Sequence, residues 1–438
     1  MAIAGPCVST MEKHCFWVTA SPESGTLLHA QYTRKDELCI WPALPLVIKG
    51  TLIISSSTDN IIAALEQSNR VCQIFLEGRQ LEKVLAQMQV SFPELTYLRL
   101  CSYGEVPPVI PDSFLDGSAP RLRYLELDSI PFPGLSKLLL SATHLVELCL
   151  HGIPHSGYIS PQAMVAPLSV MSSLETLYLG FKSSRSRPDW ESASLSPPKR
   201  SIFPALCDFH FKGASEYLEE LVAHIDTPQL EEMEIDFFYQ PDFDCPRLAQ
   251  FINRTPTLRA LDEACVNFGG TAVAGIGLRS QESIIYHDSL LIKISGNGQL
   301  PSVVQICDSL PPIPRVENLY IEHPRIWHDE GIRVENTPLL ELLLPFTAVK
   351  ALFLSKHFAP CILDALQELT GARITEVLPS LESIFVRGFK PSKSFKENIG
   401  QYVAARQLSD HSITIFWDED IDDGDEDSDD PDSDRGPI

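Results

Sequence analysis

Apolar positions in this chain group into a phrase, L-x-x-L-x-L, that returns along most of its length. FPELTYLRL (92–100) and APRLRYLEL (119–127) are two copies, and NRVCQIFL (69–76), ATHLVELCL (142–150) and MSSLETLYL (171–179) are others. FPALCDFHF (203–211), TPQLEEMEI (227–235), TPTLRALDE (255–263), IPRVENLYI (313–321), FTAVKALFL (346–354) and LPSLESIFV (378–386) continue the series. The first apolar anchor moves from Val71 to Leu381 in steps of 23 to 33 residues, apart from one step of 58 between Leu258 and Val316. A weak copy ending in LLIKI (290–294) sits inside that long step, which therefore counts as two.

In L-x-L the two apolar side chains point to one face of a short strand and x points to the other. The leucine three residues earlier turns the chain into the strand and fills the next core layer. One such unit cannot bury its apolar face alone, so neighbours stack. A period of this length carrying this phrase predicts a leucine-rich-repeat solenoid, an α/β horseshoe with a parallel concave sheet and a helical or irregular convex side. SKLLLSATHL, LAQFINRTPTL and EYLEELVAHIDTPQL read as convex helices, the last with Tyr217, Leu218, Leu221, Val222 and Ile225 on one stripe. Pro in FPGL, PSL and TPTL supplies the bend before each strand. The asparagine that often follows the strand in such repeats is replaced by CSYG, DSIP, HGIP and GFKS, so the turn must satisfy its backbone differently.

Three units are expected: an N-terminal segment (1–26) with little order, the solenoid (27–417) and a disordered tail (418–438). Two stretches interrupt the solenoid. KSSRSRPDWESASLSPPKRS (182–201) reads as an exposed loop, and the Gly-rich VNFGGTAVAGIGLRSQES (266–283) as a turn-rich extended segment or hairpin. Its GGTAVAGIG lacks the GK[ST] ending of a phosphate-binding loop.

The residue x of each L-x-L is the natural contact position. It reads Arg99, Glu126, Cys149, Tyr178, His210 and Glu234, then Tyr320, Phe353 and Phe385. Apart from Cys149, these are the expected partner-binding residues on the concave face. The last three are aromatic on successive repeats, the kind of patch that anchors a protein partner unless C-terminal helices or the tail cover it.

Charge changes this picture in one place. The net charge is −24, and twelve of the acidic residues crowd between Asp418 and Asp434. A run of this kind repels itself and buries nothing. The acidic balance also argues against a nucleic-acid partner. The 11 cysteines are scattered singly with no CxxC pair, as expected of reduced thiols in a cytoplasmic or nuclear protein. No membrane span or secretory leader is evident, and a monomer is expected.

Candidate chemistry is sparse. HGIPH (151–155) and EHPRIWHDE (322–330) bring histidines together, but Gly152, Pro154 and Pro324 break the helix that would aim them at one metal. No G-x-S-x-G elbow or assembled Ser/His/Asp or Cys/His set appears. The expectation is no catalysis, no cofactor and no metal.

Several phrases go further than generic repeats. WPALPLVI (41–48), RVCQIFL (70–76), IPDSFLDGSAPRLRYLEL (110–127) and IPFPGLSKLLLSATHLVELCLHGIPHSGYISPQAMV (130–165) resemble a large family of basidiomycete F-box/leucine-rich-repeat proteins. KGASEYLEELVAHIDTPQLEEMEIDFF (212–238) and LAQFINRTPTLRALDEA (248–264) extend the resemblance. It implies a solenoid that selects targets for a cullin–RING ubiquitin ligase, docked through an F-box on the Skp adaptor. The first 26 residues carry no F-box pattern, so the Skp adaptor is expected as a partner only where an F-box lies upstream. The alternative is a free-standing scaffold solenoid whose acidic tail contacts basic partners.

Overall fold

The computed structural model describes residues 16–20, 45–52, 55–104, 106–184, 200–240, 243–268, 273–280, 288–295, 300–322, 336–369, 371–388 and 391–418. In chain order the first strands are β1 (Phe16–Ala20), β2 (Leu46–Leu52), β3 (Val71–Gly78), β4 (Tyr97–Ser102), β5 (Tyr124–Asp128), β6 (Glu147–Ile153), β7 (Thr176–Phe181), β8 (Ser201–Ile202) and β9 (Asp208–Gly213). There follow β10 (Ile225–Asp226), β11 (Glu232–Phe238), β12 (Glu263–Phe268), β13 (Val273–Arg279), β14 (Leu290–Ser295), β15 (Asn318–Glu322), β16 (Ala351–Ser355), β17 (Ser383–Arg387) and β18 (Thr414–Asp418). All but β8 and β10 join one 16-stranded sheet, and those two pair with each other.

Each repeat puts its leucines where the phrase requires. Leu98 and Leu100, Leu125 and Leu127, and Leu148 and Leu150 all face the core, and the preceding anchors Leu95, Leu122 and Leu145 are fully buried. In-register parallel pairing stacks equivalent residues, so Leu98 lies beside Leu125 and Leu125 beside Leu148. Helices cover one side of the sheet. Ser215–Ala223 packs on Pro246–Arg254, and Leu300–Ser309, Asn336–Leu343 and Ala359–Gln367 follow in series. Packed helices sit about 8–10 Å apart while strands sit about 4.8 Å apart, so a layer of each curls with the strands inside. The bare face is therefore the concave one.

Without an asparagine ladder, backbone groups of adjacent repeats satisfy one another. After the strands the Arg79 N–H donates to the Leu52 carbonyl (3.2 Å), the Tyr103 N–H to Gly78 (3.2 Å) and the Ser129 N–H to His151 (2.9 Å). Before the strands, Thr96 donates to Cys72 (2.9 Å), Arg123 to Thr96 (2.8 Å) and Val146 to Arg123 (2.8 Å). Gly78 has φ +144°, and a Cβ there would stand 2.4 Å from the Leu52 carbonyl oxygen, so this turn requires glycine.

The structure differs from the sequence reading in four places. The sheet begins within the first 26 residues, because Phe16–Ala20 pairs in parallel with β2. The copy read at 255–263 is displaced. Pro256–Arg259 is a helical turn, and the phrase that enters the sheet is Leu261–Ala264–Val266, aligned with Leu319 and Ile321 of β15. The order of strands also reverses there. The chain passes from β11 to β12 three places further on, returns antiparallel as β13, and only then lays β14 beside β11. Finally, Ile225 leaves the helical stripe and lies buried in β10. Residues 185–199 of the expected loop, 269–272 and 281–283 of the Gly-rich insert, the His323/His328 cluster and the tail from 419 lie outside the described residues.

Candidate interaction surface

Register turns the x positions into one continuous row on the bare face. Phe75 stands beside Arg99, Arg99 beside Glu126, Glu126 beside Cys149 and Cys149 beside Tyr178. His210 and Glu234 follow, then Leu291 of β14. Gly277 and Cys265 cross the reversed segment, and Tyr320, Phe353, Phe385 and Phe416 complete the row. The structure thus brings together all eight residues expected to bind a partner.

They are not equally available. Arg99 is exposed, and Tyr178, His210, Glu234, Tyr320, Phe353 and Phe385 are half-buried. Glu126 is only 7% exposed. Its carboxylate accepts the Tyr124 hydroxyl (2.5 Å) and faces the Arg99 guanidinium at 3.3 Å, so it orders its neighbours instead of facing solvent. Burial and this hydrogen bond push the Tyr124 phenol well above its ordinary range.

The middle of the row is a charge network. His210 lies between Asp208 (3.4 Å) and Glu234 (3.3 Å), and Lys293 meets Glu234 at 2.5 Å. Asp208 and then Glu234 raise the imidazole to about 9, which keeps His210 protonated at neutral pH. In return His210, with help from Lys293, holds the Glu234 carboxyl at about 2. One step along each strand pair, Lys212 meets Asp236 at 2.6 Å.

The C-terminal end is a stack of rings. Tyr320–Phe353, Phe353–Phe385 and Phe385–Phe416 have centroids 4.4, 4.7 and 4.8 Å apart and nearly parallel planes. These spacings are the strand spacing itself, so parallel in-register strands with a ring at x stack without strain. Arg279 lies 5.0 Å over Tyr320 and Arg387 5.9 Å from Phe353. Phe416 remains 47% exposed.

Sequence reasoning missed a second set of rings. Tyr97 and Tyr124 sit two residues before the x row and stack at 4.0 Å, with Phe75 4.2 Å from Tyr97. Period-two reading of QIFL, TYLRL and RYLEL contains them. His151, read as a turn residue, lies in β6 and packs 4.0 Å from Tyr178, where burial lowers its imidazole. Leu291, Gly277 and Cys265 had no legible signal, because their place depends on the reversal. Among the described residues, no group of three or more His, Cys, Asp or Glu is arranged to hold a metal, and no helix is long and apolar enough to cross a membrane.

No family model matches the chain, and no curated protein matches it. Among solved structures it is similar to the leucine-rich repeat-containing protein LegL7 from Legionella pneumophila, at 12% identity and a TM-score of 0.30, over 83% of this chain and 98% of that one. At that distance the likeness carries no argument, and the solenoid rests on the strand register described above.

Proposed function

We propose that this chain is a non-catalytic recognition solenoid whose bare sheet face holds a protein target. The observation that carries the reading is the ring stack from Tyr320 to Phe416. Four aromatic side chains stand in one line on a face that no described element covers, half in water, with Arg279 over Tyr320 and Arg387 near Phe353. Apolar surface kept in this way on a rigid sheet is the usual anchor of a protein interface.

The setting supported by the F-box/leucine-rich-repeat phrases is target selection for a cullin–RING ubiquitin ligase. The runner-up is a free-standing scaffold, favoured by the acidic run between Asp418 and Asp434, which suits a basic partner. The test is affinity isolation from cells with the wild-type chain and a Phe353→Glu/Phe385→Glu variant, beside a pull-down with purified Skp adaptor. The Skp arm uses both the 438-residue chain and a form extended upstream. The reading predicts targets retained by the wild type and lost, about tenfold or more, by the variant. If no protein depends on the face, the recognition reading falls. If neither chain length binds the Skp adaptor, the ligase setting falls and the scaffold leads.

A further inference from the structure

The bare face is not uniform in charge, and its own pairing shows what is left over. In the middle, Arg99 is matched by Glu126, Lys212 by Asp236 and Lys293 by Glu234, while the single His210 is shared between the carboxylates of Asp208 and Glu234. Two residues before the x row, Glu147, Thr176, Asp208 and Glu232 stand side by side on β6, β7, β9 and β11. No described cation is paired with Glu147. Burial, first, and then the charges of Glu175, Asp208 and Glu126 raise its carboxyl. Tyr124 is its in-register neighbour and Tyr178 lies diagonally across, so a cation seated there also meets aromatic rings.

Beyond Glu234 the face changes character. The Asp288 carboxylate lies over Gly277, Cys265 follows, and the rings from Tyr320 to Phe416 come next with no carboxylate in their line. From Asp208 on β9 to Phe353 on β16 and Phe385 on β17 is six to seven strand steps, roughly 29–34 Å at about 4.8 Å per step, the length of about nine extended residues.

Building on the recognition reading above, we infer that the bound segment is extended and bipartite. Its Lys or Arg side chains seat at Glu147 and Asp208, and about nine residues away an aromatic or aliphatic pair lies on the Phe353–Phe385 stack. The charge decides between occupants. A second copy of this chain would bring its own carboxylates against Glu147 and Asp208, and the acidic run after Asp418 has the same sign. A basic partner segment alone is complementary at one end and apolar at the other.

The test is selection of a phage-displayed library of random 16-residue peptides on the full chain, followed by fluorescence anisotropy of the enriched peptides. The expected consensus is a Lys/Arg cluster spaced about nine residues from an aromatic or aliphatic pair. Glu147→Lys/Asp208→Lys and Phe353→Ser/Phe385→Ser should each weaken binding about tenfold or more. Circular dichroism checks folding, and the isosteric Glu147→Gln, with an expected loss of about threefold, keeps the test alive if the charge reversal unfolds the chain. Peptides without a basic cluster, peptides indifferent to both Glu147 variants, or no enrichment at all would overturn the inference. If folded proteins still depend on Phe353 and Phe385 in that case, the recognition reading stands without it. If nothing depends on the face, both fall.

Discussion

The arm from β2 to β11 and the arm from β15 to β18 share one parallel register, yet they fill the same row with different chemistry. In the first arm the row alternates in sign and size, and its side chains satisfy one another through Arg99–Glu126 and His210–Glu234. In the second the row is Tyr320, Phe353, Phe385 and Phe416, and its side chains stack. The backbone imposes about 4.8 Å between neighbours in both. That spacing suits flat rings and opposite charges equally well, so the scaffold does not dictate the surface chemistry. The reversed segment β12–β14 separates the two arms.

The arms also differ in how an arginine closes the helical layer, and this comparison gives the largest expected effect. Arg406, with no exposure, donates to the carbonyls of Ile374 (2.8 Å) and Leu378 (3.2 Å) in the C-terminal arm. Arg254 does the same work in the first arm, donating to Val222 (2.6 Å) and Ile225 (3.0 Å), but it stays 23% exposed and pairs with Asp226. Arg406→Ala leaves buried carbonyls without donors and should cost about 3 kcal/mol or more. Arg254→Ala should cost about 1–2 kcal/mol, since water can replace part of the loss. Urea denaturation followed by hydrogen exchange checks both, and in a quasi-one-dimensional array the Arg406 variant should lose protection first in β16–β18. Equal costs would mean that burial does not separate the two arginines.

A smaller effect tests the stack itself. Phe385→Ala removes ring contacts on both sides and should cost about 1–2 kcal/mol, against about 1 kcal/mol for Tyr178→Ala in the polar arm. Thermal melts of both variants and of Phe353→Ala/Phe385→Ala decide whether the rings couple, as they must if they act as a ladder.

The smallest effect is a matter of pH and belongs to one arm only. The His210 pKa is raised in the folded chain to about 9 from an ordinary value near 6.5. Its stabilisation is therefore fully present below about pH 6.5 and disappears as pH rises through about 9. His210→Gln should lie below the wild type in melting temperature at pH 6, with the gap closing by pH 9.5. The Phe385→Ala gap should stay constant over that range. A gap for His210→Gln that persists at pH 9.5 would mean that packing, not charge, holds the imidazole.

Much of the fold was legible because leucines at fixed spacing can be buried in only one way. Leu95, Leu98 and Leu100 announce a turn, a strand and a core face before any neighbour is known. The aromatic row was legible for the same reason, since x lies opposite two buried positions. Two kinds of information were not. At Leu258 and Leu261 two leucines competed to be the anchor, and the pattern alone favoured the wrong one, because a short helical turn after Pro256 satisfies Leu258 without a strand. The burial of Glu126 was hidden because it depends on Arg99 from the preceding repeat and on Tyr124 from its own strand.

By itself, then, the sequence determined the repeating unit, its face-by-face polarity and most residues of the exposed row, because period-two and period-thirty patterns are local properties of burial. Only the tertiary structure decided which repeats are neighbours. It placed β14 beside β11, set Gly277 and Cys265 between the two arms, and brought Glu147 and Asp208 into one line of the face with Thr176 between them. Hydrogen-bonded pairing between distant segments sets that order, and no window of sequence contains both partners.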